Sequence, residues 1–316
     1  MPYVLFALVC LVWSVSFLLM KKAALAFNPV EIALGRVVGG TAILALLWLI
    51  QDRCWTLRRR DSLPLAVVVL AGCAWPYFIQ PWVINRHGSA FMALMVSFVP
   101  LLTIGFSIVV LGTHPSRRQT VGVIGALLCL GLLLHDGLQR QIPLTDIGLA
   151  LTVPLGYAAA NTAIRRWLTH VSALLMTGVS FALTAVVLAP FLGVPPAPAQ
   201  APDNPWWVAA SALLFLALIG TGIATYVFNH LVRHHGPLFA GMTTNVVPLG
   251  AILWGWLDGE PISGGQGLAI TGILAMVWLV QYRGAAPRSP LPEETRATRV
   301  PPHEVESEEH LSAERD

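Results

Sequence analysis

Apolar residues run along this chain in long stretches, broken by short polar or breaker-rich connections. Ten stretches are close to the ~20 residues that a helix needs to cross the hydrocarbon core of a bilayer. Their approximate bounds are 3–20, 30–50, 63–84, 90–111, 119–135, 147–164, 172–192, 206–229, 238–257 and 266–282. Between them stand Arg58-Arg59-Arg60-Asp61, His114-Pro115-Ser116-Arg117-Arg118 and Asp258-Gly259-Glu260-Pro261. The stretch from Pro195 to Pro205 is rich in proline, which cannot stay helical, so it is expected outside the lipid. The pattern predicts an all-α membrane protein of ten transmembrane helices. The first span carries no basic residue before it and Lys21-Lys22 after it. A secretory leader carries its charge at the other end, so the span is expected to be a helix of the mature chain despite the tripeptide Ala24-Leu25-Ala26.

Composition identifies the solvent. Hydrophobic residues make up 56% of the chain and charged residues 11%, against about 25% charged in soluble domains. The mean hydropathy is +0.70. There are too few charges to cover a water-facing surface, so the lipid bilayer is the first expected partner. From Arg283 onward the composition reverses. Residues 283–316 hold Glu293, Glu294, Glu304, Glu306, Glu308, Glu309, Glu314 and Asp316 with several prolines, and read as a disordered acidic tail.

The net charge of +3 is small, and the basic residues sit in short loops, which argues against a nucleic-acid partner. Their placement sets an orientation. With the N-terminus in the cytoplasm, about ten loop Lys/Arg fall on the cytoplasmic side, among them Arg58, Arg59, Arg60, Arg117, Arg118, Arg165 and Arg166. Four fall opposite: Lys21, Lys22, Arg86 and Arg140. The positive-inside rule then puts both termini in the cytoplasm. Cys10, Cys54, Cys73 and Cys129 form no CxxC pair and read as small buried hydrophobes. No metal and no cofactor are expected.

The chain also repeats itself. Arg86-His87-Gly88 and His234-His235-Gly236 lie 148 positions apart, as do Val99-Pro100-Leu101 and Val247-Pro248-Leu249. Trp13 to Lys21-Lys22 matches Tyr157 to Arg165-Arg166 at an offset of 144, and His114-Pro115 matches Glu260-Pro261 at 146. The halves, 1–137 and 144–282, would each hold five helices, and an odd number inverts the second copy across the membrane. Two inverted five-helix repeats that rock around a central site are a recurrent transporter plan.

Several residues carry a resemblance to a known family. Trp13-Ser14-Val15-Ser16-Phe17 is similar to a W-[GS]-x-x-[FY] signature, Arg36 stands where an arginine is frequent in the second helix, and Pro100 and Pro248 take the proline positions of helices four and nine. Gly259-Glu260-Pro261 with Gln266 and Gly272 is similar to a G-E-x-x-x-x-x-Q-x-x-G pattern. In these features, from Pro2 to about Tyr282, the chain resembles the EamA-type branch of the drug/metabolite transporter superfamily. The first copy departs from it, with His114 where the second has Glu260. The resemblance implies an inner-membrane permease with a central cavity, moving amino acids, nucleosides, other metabolites or drugs, often outward.

Polar groups at membrane depth are costly unless they meet a cavity or a partner. On that ground the expected substrate-binding residues are Trp13, Ser16, Tyr77, Gln80, Tyr157, Asn161, Tyr226 and Asn229. For the aromatics, anchoring at the interface weighs about as much, and for the amides, interhelical hydrogen bonding. His230 and Glu31 are candidate coupling groups, His230 because imidazole titrates near neutrality. Pro100 and Pro248 are candidate kinks or gates, since each leaves a carbonyl four residues earlier without its donor. Arg36 reads as structural, held by a carbonyl or a helix end. Gly35 and Gly39 form a GxxxG element that suggests close helix packing. No HExxH, GxSxG or GxxxxGK[ST] is present. The chain therefore reads as a secondary transporter of a small molecule, not an enzyme. A membrane-embedded enzyme acting on a lipid or isoprenoid is the alternative, and homo-oligomer formation is left open.

Overall fold

The computed structural model describes residues 2–51, 55–112, 141–192, 206–235, 243–261 and 263–281, together with residues 117, 118, 121, 122, 124, 125, 128, 129 and 132. The acidic tail, the proline-rich stretch, His114 and most of the fifth predicted span lie outside the described residues. Every regular element among the described residues is helical.

The first four spans form α1 (Pro2–Ala23), α2 (Pro29–Gln51), α3 (Arg59–His87) and α4 (Ser89–Val110). The sixth to tenth form α5 (Leu144–Trp167), α6 (Ala173–Phe191), α7 (Trp206–Phe228), α8 (Thr243–Leu257) and α9 (Gly264–Gln281). The helix of α7 continues to His235. The first seven are long and apolar enough to cross a membrane, whereas the apolar stretches of α8 and α9 are shorter. Residues 121, 122, 124, 125, 128, 129 and 132 of the fifth span, and residues 117 and 118 just before it, are helical. Large apolar side chains point outward all round: Leu11, Leu46, Val109, Val186, Leu214 and Leu268 are exposed. Water would penalise such a surface, while lipid accommodates it.

The packing follows the sequence repeat. α1 lies against α7 and α8, and its counterpart α5 lies against α3 and α4. α2 packs on α6. Both α3 and α7 contain a widened π-helical segment, Val68–Ala74 and Leu216–Ile223, whose starts are 148 positions apart. In each the turn closes by a bond five residues long, from Trp75 N–H to the Leu70 carbonyl and from Ala224 N–H to the Ile219 carbonyl. In α3 the widening precedes Pro76, whose ring would otherwise press on the Gly72 carbonyl. In α7 the same widening contains Gly220 and Gly222.

Gly72 and Gly220, equivalent by the repeat, are both contact points. A Cβ on Gly72 would stand 2.5 Å from the Ala160 Cβ, and one on Gly220 would stand 3.0 Å from the Ser16 Oγ. Ala160 and Ser16 are themselves equivalent, 144 positions apart. A second reciprocal pair joins the fifth segment to α9. Gly125 meets Met276, and Gly272 meets Cys129. As one index rises the other falls, so these two segments meet antiparallel. The GxxxG pair serves packing too: a Cβ on Gly39 would lie 2.6 Å from that of Ala217 in α7.

The main core gathers Phe17, Met20, Ile32, Ile79, Phe91, Met95 and Ile147 from α1 to α5. Cys10, Cys73 and Cys129 are buried free thiols, as the sequence suggested. α4 breaks at Ser97 and Phe98, one turn before Pro100, where the Ser97 and Phe98 amides turn back to the carbonyls of Leu94 and Met95. Pro248, in contrast, is buried inside one continuous helix. The side chain of Pro100 lies outside the described residues.

Candidate functional site

Four helices converge on one buried cation. Arg36, 7% exposed, sits about 10 Å into α2 by the 1.5 Å rise per residue. Its Nε donates to the Thr221 Oγ1 of α7 at 3.2 Å, and Nη1 lies 3.2 Å from the Met20 Sδ of α1. The guanidinium stands 4.3 Å from the ring centre of Tyr77 in α3. Arg36 thus meets a hydroxyl, a thioether and an aromatic face, not the carbonyl or helix end expected from the sequence. Tyr77 is buried, and its ring also packs beside Phe181 of α6, 5.9 Å away.

Beside this cluster, the expected residues of α3 and α5 come together. The Gln80 Nε2 donates to the Tyr157 Oη at 3.1 Å, and the Trp75 Nε1 to the Thr152 Oγ1 at 2.7 Å. The equivalent place in the other half holds Trp13 of α1, which donates from Nε1 to the Gly220 carbonyl at 3.1 Å and packs on Phe228, with centroids 5.0 Å apart. Gly220 lies within the π-helical segment, where the carbonyl ladder is irregular and an acceptor is open to a side chain. Ser16 is buried against Gly220 and donates to the Val12 carbonyl at 2.7 Å. Asn161 is exposed on α5.

Other expected residues are elsewhere. The Tyr226 hydroxyl donates to Gln51 at the last residue of α2, at 3.0 Å, so it ties down a helix end rather than joining the Arg36 cluster. The Glu31 carboxylate, expected to couple, is taken up by a helix cap. It accepts from the Asn28 N–H at 2.7 Å while the Asn28 Oδ1 accepts from the Glu31 N–H at 2.9 Å. That reciprocal pattern satisfies two amides at the start of α2. His230 is half-buried in the continuation of α7. The side chain of Asn229 lies outside the described residues. Trp206 and Trp207 are exposed at the start of α7, as interfacial anchors would be.

The sequence reading passed over a second cluster, at the end of the bundle where α1 stops. The Glu260 carboxylate accepts from the Ser89 and Ala90 amides at 3.0 and 3.1 Å and from the Ser89 Oγ, so it caps the N-terminus of α4. Lys21 of α1 bridges Glu260 at 3.0 Å and Asp258 at 2.8 Å, and Lys22 also pairs with Asp258. Burial works against the charge on Glu260, but the Ser89 and Ala90 amides and the Lys21 ammonium outweigh it and hold its carboxyl below the ordinary range. Asp258 is likewise held low by Lys21 and Lys22 against its own burial. Gly88, with φ +92°, lets the chain turn directly from α3 into α4 beside this carboxylate. The visible signal was the Gly259-Glu260-Pro261 motif itself. A groove of about 600 Å³ lies along α8 between Leu249, Leu253, Trp256 and Glu260, away from the Arg36 cluster.

Comparison with known proteins agrees with the repeat. The pattern of the EamA-like transporter family matches residues 1–134 and matches again over 145–282. Among curated proteins, none matches the chain. Twelve solved chains match it. One of them, a crystal structure titled only as that of a protein, aligns over 88% of this chain and 95% of its own at a TM-score of 0.61. At 18% identity that likeness speaks for the fold alone.

Proposed function

Because the chain belongs to the EamA-like transporter family, we propose that it is a secondary permease that moves a small metabolite outward by alternating access between two inverted five-helix repeats. The proposed cargo is a small metabolite, such as an amino acid, a nucleoside or a drug-like solute. The observation that carries the mechanism is the reciprocal contact of Gly125 with Met276 and of Gly272 with Cys129. Such a self-complementary, antiparallel contact is what a twofold axis in the membrane plane produces. Repeats related by that axis can exchange conformations at little net cost, which converts a site open to one side into a site open to the other.

In this proposal ten helices cross the cell inner membrane and both termini are cytoplasmic. The Lys21, Asp258 and Glu260 cluster then closes the outer end, joining α1 and α4 of one repeat to the α8–α9 turn of the other. The solute passes along α1, α3 and α5, near Trp13, Tyr77, Gln80, Tyr157 and Asn161. The break before Pro100 and the proline Pro248 within α8 are the proposed flexible points, and His230 is the proposed proton-coupling group. No ATP-binding motif is present, so an ion gradient or the solute's own gradient drives the cycle.

The test is transport by the purified full chain in liposomes, against a metabolite panel, with and without a pH gradient. Solute accumulation that collapses with the gradient supports the proposal. Chemical change of a lipid, with no solute moved under any gradient, would reject it in favour of an enzyme.

A further inference from the structure

The ten apolar spans contain almost no charge. Glu31 and Arg36 are the only Asp, Glu, Lys or Arg residues within them. Glu31 stands in the first turn of α2 and is held by the Asn28 cap. Among the described residues of the spans, Arg36 is left as the one permanent charge away from a helix end. A guanidinium does not shed its proton in a protein, so it cannot relieve its burial by becoming neutral. Buried cations are ordinarily paired with an anion.

Among the described residues no such anion stands by Arg36. Arg36 forms no ion pair among the described residues, and its contacts with Thr221, Met20 and Tyr77 are all neutral. The remaining acidic residues of the sequence all lie outside the spans. Asp61 and Asp146 are engaged at helix ends by His170 and His87, and Asp258 and Glu260 by the lysines of α1. Around Arg36 stand groups that suit an anion as well. The Tyr77 hydroxyl makes no hydrogen bond among the described residues. The Tyr157 hydroxyl accepts from Gln80, one turn beyond Tyr77 in α3, and so keeps its own proton to donate.

We propose that Arg36 is the binding point of the transported solute, and that this solute is a small organic anion bearing a carboxylate or a phosphate. The planar fork of Arg36 matches either group through two parallel N–H donors. A zwitterion fits less well, because its ammonium would meet no carboxylate at this depth. A purely structural arginine would hold the same neutral contacts but would give no preference for charge. The assignment rests on the transporter reading and narrows its small-metabolite cargo to anions, setting aside zwitterionic amino acids and neutral nucleosides.

The experiment uses the full chain in liposomes, with probes that share a skeleton and differ in charge. Lactate, alanine and alaninamide form one set, and glycerol 3-phosphate and glycerol the other, with the phenyl analogues of the first set added. Uptake is read under imposed gradients, and Tm is read in detergent with each probe. An anion is expected to move and to raise Tm while its zwitterionic, cationic and neutral partners do neither. The two sets tell carboxylate from phosphate. Arg36→Gln should raise the KM for that anion about ten- to a hundredfold, the loss expected for charge-assisted hydrogen bonds. Arg36→Lys should lose less. If the glutamine variant does not fold, the charge preference of the wild type decides alone. Preferential movement of zwitterions, cations or neutral solutes, an unchanged KM in Arg36→Gln, or a set in which no anion moves or shifts Tm, each overturns the assignment. Movement of some other solute would leave the transporter reading standing, whereas a failure of all solutes under all gradients would remove it too.

Discussion

Gln80 and Tyr157 illustrate what a single residue discloses before the fold is known. Each is polar in an apolar run, and that cost marks it for a partner. Which partner is not visible, because α3 and α5 are separated by 77 positions in the bond they form. Tyr157→Phe removes the acceptor and leaves the Gln80 amide unpaired at membrane depth. It should lower stability by about 1 kcal/mol, the scale of interhelical hydrogen bonds in membrane proteins, measured as a fall in the thermal midpoint in detergent. Tyr226 shows the opposite case. Its cost as a polar residue in an apolar run was legible, but the direction of its hydroxyl, toward the end of α2, depends on how α7 and α2 meet. Arg36 was legible as a rare charge and misjudged as to its contacts, for the same reason.

Among the elements, the equivalent π-helical segments of α3 and α7 make unequal predictions. Gly72→Ala would drive a methyl into that of Ala160, and neither can rotate away. A destabilisation of about 1–3 kcal/mol is expected from overpacking, and Ala160→Gly should restore most of it. Gly220→Ala is pressed only by the Ser16 hydroxyl, the end of a side chain, with Leu216 and the Phe215 carbonyl at ordinary contact distance, so its cost should be the smaller. Equal midpoints for the two alanine variants would contradict this account. The turn between α8 and α9 carries a second prediction. Glu260→Gln keeps one acceptor for the α4 amides but loses the Lys21 pair, and should cost about 1–3 kcal/mol. A Tm unchanged by this substitution would mean that the cap is incidental.

For the whole molecule, the acid response follows from the same cluster. The carboxyls of Glu260 and Asp258 titrate below their ordinary values of 4.5 and 3.8 in the folded state. A depressed carboxyl contributes stability above its unfolded pKa and loses it as pH falls through the folded one. Tm should therefore be insensitive to these groups between pH 6 and 8, taken as roughly the neutral range, and should fall below about pH 4.5. Glu260→Gln should flatten that fall; an equal acid slope in the variant would exclude Glu260 as its source. The orientation has its own test. In a chain whose four cysteines are replaced, Gln141→Cys should react with an impermeant thiol reagent from outside, and Arg59→Cys only after the membrane is opened. The reverse pattern would invert the proposed topology.

The sequence by itself determined the solvent of this protein, its helical class and its division into two matched halves. These follow from local quantities: run length, charge frequency and the spacing of Gly88 with Gly236 or Pro100 with Pro248. Residues 119–135 read as a span, and the described residues in that range are helical. The sequence also marked which polar residues are costly. Only the tertiary structure decided what each of them touches. It put Arg36 among neutral groups from three other helices, Glu31 in a cap, and Glu260 on the start of α4. Those outcomes depend on helix crossings over long sequence separations, where close approach at Gly72, Gly220 and Gly125 fixes the register. No local pattern encodes which side chain will stand opposite at such a crossing.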